Sequence, residues 1–403
     1  MIVAGAGASG LMAALQAARG GARVLVLEQG RWPARKLAML RRGRGSLTHA
    51  DVSHERFGGK HARFAGDALS EFDTTALHAL AAEFQIELID EEGTLLPESR
   101  SGHDFARALI HAVNQSGASI LHSTHVHAAR KTEQGFAVQT SRGEFKAARL
   151  LLALGAPHFP QLGGADTGLN IARSFGHTLE THHPALVGVR TREVWPFRLP
   201  GLWMECGITL HAGGKSAAQH RGLVLFTAGA LAGPGIAAVS REVEAALALN
   251  QSVELWLNFY PELTPEEVTT WMFRNFGQST RKFAPDALNP MLPRRLATEV
   301  CRVAGVDPAW RVDRLTVEQR AAIEARLTKT VLHVTGTLGW RAAEATRGGV
   351  NVREINPRSF ESKRVPGLFI AGEMLDVDAD NAAMNVHFAL ASGWCAGTAA
   401  AKR

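Results

Sequence analysis

The sequence predicts an α/β fold in which both ends of the chain form one domain and the middle forms an insert. Three observations predict it. Residues 1–28 read as strand, glycine loop, helix and strand. In the middle of the chain, apolar and polar residues first alternate as in antiparallel strands, and a helical pattern follows. Residues 331–403 again show a strand, a glycine loop and a helix. At 403 residues, the chain is long enough for two or three domains.

Composition restricts the class of protein. The chain is 46% hydrophobic and 20% charged, which excludes a mainly disordered protein. No apolar run reaches the roughly 18 residues of a membrane span, and no basic region precedes the first apolar run as in a secretory signal. Its three cysteines are odd in number and form no Cys-x-x-Cys, which favours a reducing compartment. We therefore expect a cytoplasmic protein that does not associate with a membrane.

The charge balance is only weakly basic. Lysine and arginine total 44 against 38 acidic residues, a net charge of +6. The basic residues are scattered, apart from Arg35-Lys36 and the run at 41–44. Nucleic-acid-binding proteins usually concentrate positive charge on one face. We therefore expect a small-molecule substrate and no nucleic-acid partner, and the oligomeric state is left open.

Local patterns justify the elements of the first domain, which we place at 1–184. Strands are predicted at 1–4 and 23–28, on either side of a helix at 11–19. Helical periodicity follows at 73–84 and 103–115. Alternation between 119 and 148, followed by the apolar run Arg149–Leu154, indicates a small antiparallel meander leading into a buried parallel strand.

The insert is predicted at 185–330, β-rich to residue 260 and helical from 261. Strand character occurs at 203–211, 221–227 and 252–260. Thr264-Pro265-Glu266-Glu267 and Thr316-x-x-Gln319 both have the spacing of a helix-starting capping box. The first domain then resumes over 331–403, with a strand at 365–371 and a final helix from 381 to 397. The insert is expected to be barrel-like in its β-rich part.

The main motif is Gly5-x-Gly7-x-x-Gly10, placed between the first strand and the first helix. In a dinucleotide-binding βαβ unit the three glycines allow the tight turn, the approach of a diphosphate and close helix packing. The N–H groups of Ala8 and Ser9 would then face the phosphates. Glu28 ends the second strand eighteen positions after Gly10, where a carboxylate accepts hydrogen bonds from ribose hydroxyls.

The positions of the glycines favour FAD over NAD as the resident nucleotide. The motif is at the start of the chain, and a second strand ending in Gly372-Glu373 is near its end. No second GxGxxG follows a strand; the nearest glycines, at 229–235, have the wrong spacing. NAD(P)H is therefore expected only as a transient reductant.

Longer stretches resemble a known family. They include Arg35-Lys36-Leu37, Pro184–Val187, Leu225-Phe226-Thr227, Val334–Thr337 and above all 348–378. Over nearly its whole length the chain resembles bacterial NAD(P)/FAD-dependent flavoproteins that include aminoacetone oxidases and bile-acid enone reductases. The resemblance implies an FAD-binding Rossmann-like domain, an inserted β-barrel-like and helical domain, and oxidoreductase chemistry on an amine or an enone. The cofactor-binding residues expected from the motif and the resemblance together are Gly5, Gly7, Ala8, Ser9, Gly10, Glu28, Gln29, Arg35, Lys36, Val126, Gly155, Gly372, Glu373, Asn385 and Val386.

The chain departs from the family pattern where glycines are expected. Arg41–Ser46 replaces a Gly-Gly-Gly-Arg-Cys-Asn stretch, Ala153–Ala156 replaces Ala-Thr-Gly-Gly, and Asn381–Asn385 replaces Thr-Gly-Gly-Tyr-Asn. A Cβ at such positions crowds a ligand or requires a shifted loop. We interpret this as an altered substrate pocket. The alternative is a degenerate flavin-binding protein with a structural or partner-binding role.

The resemblance also supplies catalytic candidates, namely Arg44, Arg347, Asn385 and His387, with His49 nearby. An arginine could bind an anionic substrate through two hydrogen bonds, and His387 could exchange a hydrogen bond with substrate. The alternatives are a solvated arginine and a hydrogen-bonded helix histidine. No metal is expected, because His122, His125 and His127 have no accompanying Cys or carboxylate. No Gly-x-Ser-x-Gly supports a hydrolase.

Overall fold

The structure is a computed structural model. It describes residues 1–290 and 292–402, except for the side chains of residues 40–42 and 62. The Arg41-Arg42 part of the basic run therefore lies outside the described side chains. The chain divides into two compact units, one formed by Met1–Ala185 with Gly339–Arg403 and the other by Leu186–Leu338.

The elements follow in chain order. The first part of the first unit contains β1 (Ile2–Ala4), α1 (Ala8–Arg19), β2 (Leu25–Leu27), α2 (Arg35–Gly43), β3 (Thr48–His49), α3 (Ala65–Glu71), α4 (Thr74–Glu83), β4 (Leu88–Glu91), β5 (Thr94–Pro97), α5 (Gly102–Gln115), β6 (Ser119–Leu121), β7 (Val126–Thr132), β8 (Gly135–Thr140), β9 (Gly143–Ala147), β10 (Leu150–Leu152), α6 (Thr167–Ser174) and β11 (Leu179–Ala185). The second unit contains β12 (Val189–Thr191), β13 (Trp203–Ala212), β14 (Lys215–Phe226), β15 (Leu231–Ala232), α7 (Pro234–Ala248), β16 (Val253–Asn258), α8 (Pro265–Gln278), α9 (Ala284–Leu288), α10 (Arg294–Val303), α11 (Val317–Thr328) and β17 (Thr330–Thr337). The first unit then resumes with β18 (Ala345–Val350), β19 (Leu368–Ile370) and α12 (Ala382–Ala401).

A parallel sheet forms the centre of the first unit, in the order β19-β10-β1-β2-β6. Its inner strands consist of apolar residues, and Val3, Leu151 and Val26 lie side by side in register and are buried. Such fully apolar strands are typical of a parallel sheet covered on both faces. Because the carboxyl ends of β1, β2, β10 and β19 meet at one edge, the loops that follow these strands lie together.

The second unit contains a closed barrel in the order β12-β15-β14-β13-β16-β17. Its inward side chains pack with apolar residues of α7, such as Ile236 and Val243, in one buried cluster. The helical part follows the barrel strand β16. Both predicted capping boxes are present, at Thr264 and Thr316. In each, the threonine side chain accepts a hydrogen bond from the backbone N–H of the residue three positions later, and the side chain of that residue accepts one from the threonine N–H.

The structure confirms the predicted fold class and corrects some element boundaries. The meander β7-β8-β9 precedes the buried strand β10, as predicted. The insert was predicted to end at residue 330, whereas the second compact unit ends at Leu338. The difference arises because β17 pairs with β12 and β16 and so completes the barrel. The sequence also missed the first half of β14, whose residues 215–220 are mostly polar and exposed and carry no apolar alternation. Among the described residues, no helix combines the length and apolarity needed to cross a membrane.

Candidate functional site: a groove at the carboxyl edge of the parallel sheet

The glycine loop between β1 and α1 forms the floor of a groove. Gly5 has φ +103°, and a Cβ there would lie 2.2 Å from the carbonyl oxygen of Ala153. A Cβ on Gly10 would lie 2.0 Å from the carbonyl oxygen of Gly5. In contrast, a Cβ on Gly7 would have no atom within 4 Å. Gly5 and Gly10 are therefore required by the fold, whereas the space above Gly7 is open to a ligand.

The N-terminus of α1 opens onto this space. Its N-cap residue is Gly7, and no side chain caps the helix. The first N–H groups of an α-helix have no partner within the helix, and they carry the positive end of its dipole. This end of α1 therefore provides N–H donors and a positive potential suited to a phosphate.

Glu28 is held firmly at the end of β2. Its Oε2 accepts a hydrogen bond from the N–H of Ala6 at 3.1 Å, and its Oε1 accepts one from Gly30 at 2.7 Å. The guanidinium of Arg35 lies 3.7 Å from Oε1. Burial raises the pKa of Glu28, against the opposing effect of these hydrogen bonds. Because each carboxylate oxygen has two acceptor positions, Glu28 can still accept hydrogen bonds from a ligand.

The groove contains about 960 Å³ of space between protein atoms, and this figure includes open solvent. It lies within the first unit. Most of the predicted cofactor-binding residues line it, namely Gly5, Gly7, Ala8, Ser9, Glu28, Gln29, Arg35, Lys36, Gly155, Glu373, Asn385 and Val386.

Three predicted cofactor-binding residues lie elsewhere. Gly10 lies beneath the loop, where it permits close packing. Val126 lines an adjoining cavity that shares Gln29 and Gly163 with the groove. Gly372 lies behind Ser9, and a Cβ on it would be 2.5 Å from the Ser9 hydroxyl oxygen. The structure thus brings most of the predicted set together in one place, and their contact with a cofactor stays a prediction.

A charged network that the sequence did not predict lies in the wall of the groove. The Glu373 carboxylate is 3.5 Å from Nζ of Lys36 and 3.1 Å from Nε2 of His158. Nδ1 of His158 is 3.1 Å from the hydroxyl of Thr346. Although burial opposes ionisation of Glu373, His158 and Lys36 lower the pKa of its carboxyl to about 2. Burial lowers the pKa of His158, so this histidine is neutral.

His158 gave only a weak signal in the sequence. It follows the buried strand β10 in a loop at the carboxyl edge of the sheet, which is where ligand-binding residues of α/β folds usually occur. Its partners lie far away along the chain, with 188 positions separating it from Thr346. No local pattern could have joined these residues.

The structure does not support the predicted catalytic role of His387. This residue is fully buried in α12, with Nε2 2.8 Å from the carbonyl oxygen of Phe72 and Nδ1 2.6 Å from the Thr48 hydroxyl. A carbonyl only accepts, so Nε2 carries the proton and Nδ1 accepts from Thr48. Burial also lowers its pKa. His387 is therefore a neutral histidine that ties α12 to two other segments, and it does not line the groove.

Two arginines predicted as catalytic also lie outside the groove lining. Arg44 forms an ion pair with Glu91, and its side chain is 43% exposed. Arg347 lies on β18, opposite His183 in the two-stranded sheet with β11. His49 pairs with the exposed Asp51. The structure therefore does not bring these residues to the groove.

Asn385 lines the groove, but its side chain is bonded to the backbone. Its Oδ1 accepts from the N–H of Ala379 at 2.9 Å, and its Nδ2 donates to the carbonyl oxygens of Ala379 and Asn381. Asn385 therefore holds the loop that enters α12. Ala382, at one of the positions where the sequence resemblance implies a glycine, also lines the groove and adds a methyl group to its wall.

The histidines near β7 form no metal centre. The rings of His125 and His127 are parallel, with centroids 6.5 Å apart. Across the described residues, no group of three or more His, Cys, Asp or Glu side chains is arranged to hold a metal ion.

Comparison with known proteins assigns this architecture to a family. The model described as the HI0933-like protein Rossmann domain matches residues 1–399. The chain belongs to the HI0933-like family. This assignment agrees with the family resemblance seen in the sequence, and it supports an oxidoreductase.

Two curated proteins are similar to this HI0933-like chain over nearly its full length. The 3-dehydro-bile acid delta(4,6)-reductase of Clostridium scindens is 26% identical over 404 residues, covering 100% of this chain and 98% of the relative. A ribosomal RNA dihydrouridine synthase of Escherichia coli is 26% identical over 411 residues, covering 98% and 96%. Among solved structures, the 3-ketosteroid delta1-dehydrogenase of Sterolibacterium denitrificans is similar in fold, with a TM-score of 0.50 at 12% identity, over 99% of this chain and 98% of that one.

Proposed function

We propose that this protein is an FAD-dependent oxidoreductase that reduces a carbon–carbon double bond conjugated to a carbonyl group. The binding of FAD is supported by the arrangement of two carboxylates about one helix N-terminus. Glu28 follows β2 and Glu373 follows β19, on either side of β1 and the uncapped start of α1. Both carboxylates line the same groove.

This arrangement suits a dinucleotide. Three strand intervals separate β2 from β19, which corresponds to about 14 Å at about 4.8 Å per interval. A diphosphate at α1 would then lie between two acceptors, one for the hydroxyls of each sugar. The open space above Gly7 provides room for the phosphates. The residues present therefore fit FAD, with Glu28 holding the ribose and Glu373 facing the ribityl half.

A flavin, when bound, supplies the hydride-transfer chemistry. The protein residues bind and orient the flavin and the substrate and shield them from water. Ala6 and Gly30 fix the Glu28 carboxylate through their N–H groups. Asn385 and the Asn381 cap, which accepts from the N–H of Ala383, fix the start of α12 beside the groove.

The substrate class rests on the names of the curated relatives. A delta(4,6)-reductase of 3-dehydro-bile acids acts on double bonds conjugated to a 3-oxo group. A dihydrouridine synthase saturates the 5,6 double bond of uracil, which is conjugated to the C4 carbonyl. The shared reaction adds a hydride and a proton across an activated double bond, with NAD(P)H as the proposed source of the electrons. The names of these relatives therefore favour an enone over an amine as the substrate.

Within this class, we propose a free small molecule as substrate and a cytoplasmic location, with no membrane partner. The absence of a concentrated basic face in the sequence supports a small molecule over RNA. The similarity to a ribosomal RNA enzyme makes RNA the alternative to be tested.

The experiment begins with the purified protein, which should be yellow and should release FAD on denaturation. Under anaerobic conditions, NADPH or NADH should bleach the flavin, and a steroid 4-en-3-one should restore its absorbance. A uridine-containing RNA and a primary amine are the comparison substrates. A colourless protein that takes up no added FAD would contradict the proposal.

The second candidate is a flavin-binding protein without turnover, which serves a structural or partner-binding role. The methyl group of Ala382 in the groove wall favours it, because the sequence resemblance implies a glycine there. Bound flavin that dithionite reduces, together with no turnover of enone, RNA or amine, would support this candidate.

A further inference from the structure

Among the described residues, three histidines are buried, and all three lie in the first unit. Each has both ring nitrogens within hydrogen-bonding distance of a partner. For His177 these are Glu354 and Ser362, each at 2.9 Å. His177 and His387 pack inside the fold, whereas His158 is the one of the three that lines the groove. Its hydrogen bonds therefore act on the ligand-binding surface.

The proton on His158 can be assigned from its partners. The carboxylate of Glu373 is ionised and can only accept, so Nε2 of His158 carries the proton and donates to Oε1 at 3.1 Å. The neutral ring then has an unprotonated Nδ1, which accepts from the hydroxyl of Thr346 at 3.1 Å. Thr346 is 3% exposed and lies on β18, so it is a fixed donor. This chain of hydrogen bonds has one direction, from Thr346 through His158 to Glu373.

Four segments of the first unit meet around the His158–Glu373 pair. His158 comes from the loop after β10, Thr346 from β18, Lys36 from α2, and Glu373 itself from the turn after β19. Nζ of Lys36 also donates to the carbonyl oxygen of Ala156 at 3.1 Å, two residues before His158. The carboxylate is 24% exposed despite these contacts, and each oxygen keeps one acceptor position.

Resting on the proposed function, we propose that His158 is a positioning residue for the cofactor, which holds Glu373 as an oriented acceptor for the hydroxyls of the half of FAD that does not contain adenosine. Glu28, three strand intervals away, serves the adenosine half. Loss of the His158 hydrogen bond frees Glu373 to turn toward Lys36. The ribityl hydroxyls then meet a misplaced acceptor, whereas the adenosine subsite is unchanged.

The test measures the affinity of the apoprotein for two ligands, FAD and ADP, by calorimetry. His158→Phe keeps a ring and removes both hydrogen bonds. We expect it to weaken FAD binding about 10-fold and to leave ADP binding within about 2-fold, in line with the loss of one hydrogen bond to a charged group. His158→Gln places an amide N–H near the position of Nε2, and we expect it to restore FAD affinity to within about 3-fold of wild type.

The matched control is His177→Phe, which removes a buried histidine with two hydrogen bonds outside the groove. It should lower the melting temperature at least as much as His158→Phe and leave both affinities unchanged. On a Glu373→Gln background, His158→Phe should weaken FAD binding less than 3-fold further, because the two residues act through one interaction.

The outcomes separate two failures. Wild-type protein that binds neither ligand contradicts the proposed function itself. Wild-type protein that binds FAD, with His158→Phe equal to wild type or weakened equally for FAD and ADP, overturns the role of His158 alone.

Discussion

Nδ1 of His177 lies 2.9 Å from the Glu354 carboxylate, and Nε2 of the same ring lies 2.9 Å from the Ser362 hydroxyl. The order Ser–His–Glu resembles a nucleophilic triad. However, Ser362 is 5% exposed, and its Oγ also accepts from the N–H groups of Arg364 and Val365. The hydroxyl is therefore occupied and shielded, and the network stabilises the fold instead of acting as a nucleophile.

This network predicts acid sensitivity. Although burial opposes ionisation, hydrogen bonds from Arg364, Thr178 and His177 lower the pKa of Glu354 to about 2, so its contribution to stability is present above about pH 4.5 and is lost as the pH falls toward 2. Burial lowers the pKa of His177, so a second contribution is lost as the pH falls below about 6.5.

The free energy of unfolding should therefore decrease from pH 7 to pH 2. Glu354→Gln should remove about 1–2 kcal/mol at pH 7, progressively less below about pH 4.5, and little near pH 2. Urea unfolding of wild type and Glu354→Gln at a series of pH values measures this free energy. An equal loss at every pH would show that the charge of Glu354 is not responsible.

Two glycine substitutions should separate folding from binding. Gly7→Ala adds a methyl group where no atom lies within 4 Å and φ is −79°, so the melting temperature should stay within a few degrees of wild type. The methyl group enters the proposed diphosphate space, and FAD affinity should fall at least 10-fold.

The matched variant is Gly5→Ala. It places a Cβ 2.2 Å from the Ala153 carbonyl oxygen at φ +103° and should cost about 2 kcal/mol or more of stability. If Gly7→Ala destabilises the fold as strongly as Gly5→Ala, the space above Gly7 has a structural role.

His387 provides a test of a catalytic prediction that the structure does not support. His387→Phe removes the bonds to Thr48 and to the Phe72 carbonyl, and it leaves buried polar groups without partners. Stability should fall by about 2–4 kcal/mol. The turnover per bound flavin, measured below the new melting temperature, should stay within about 3-fold of wild type. A loss of turnover by more than 100-fold with unchanged stability would restore the catalytic interpretation.

The capping box at Thr264 can be tested in the second unit. Thr264→Ala removes the side-chain acceptor for the N–H of Glu267 and should cost about 1 kcal/mol. Thr270→Ala, further along the same helix and also exposed, is the control and should change stability by less than about 0.5 kcal/mol. Both are measured by thermal unfolding, and a larger loss in the control would contradict the cap.

The sequence predicted the features of the groove that depend on neighbouring residues. Gly5, Gly7 and Gly10 stand in a short motif, and Glu28 ends the next strand. Because the position of each residue depends on a strand–loop–helix–strand pattern of about 30 residues, it could be predicted from spacing alone, whereas contact with a nucleotide stays a prediction. The meander and both capping boxes were predicted for the same reason.

The hydrogen-bond partners of buried polar side chains could not be predicted from the sequence. His387 stands in a segment that resembles a flavin-contacting one, yet Thr48 and Phe72 take both of its ring nitrogens across more than 300 positions of sequence. The His158–Glu373 contact has the same character. Which buried histidine faces a groove is decided by the packing of distant segments, and hydrophobic periodicity carries no information about it.

The strand order has a consequence for how the chain acquires its cofactor during synthesis. β1 and α1 are translated before the barrel unit, whereas β19, Glu373 and α12 are translated only after it. The barrel unit is continuous in sequence and can form while translation continues. A nascent chain therefore carries only half of the proposed nucleotide site while the barrel unit is being made, and the proposed FAD site is complete only after α12 has been translated.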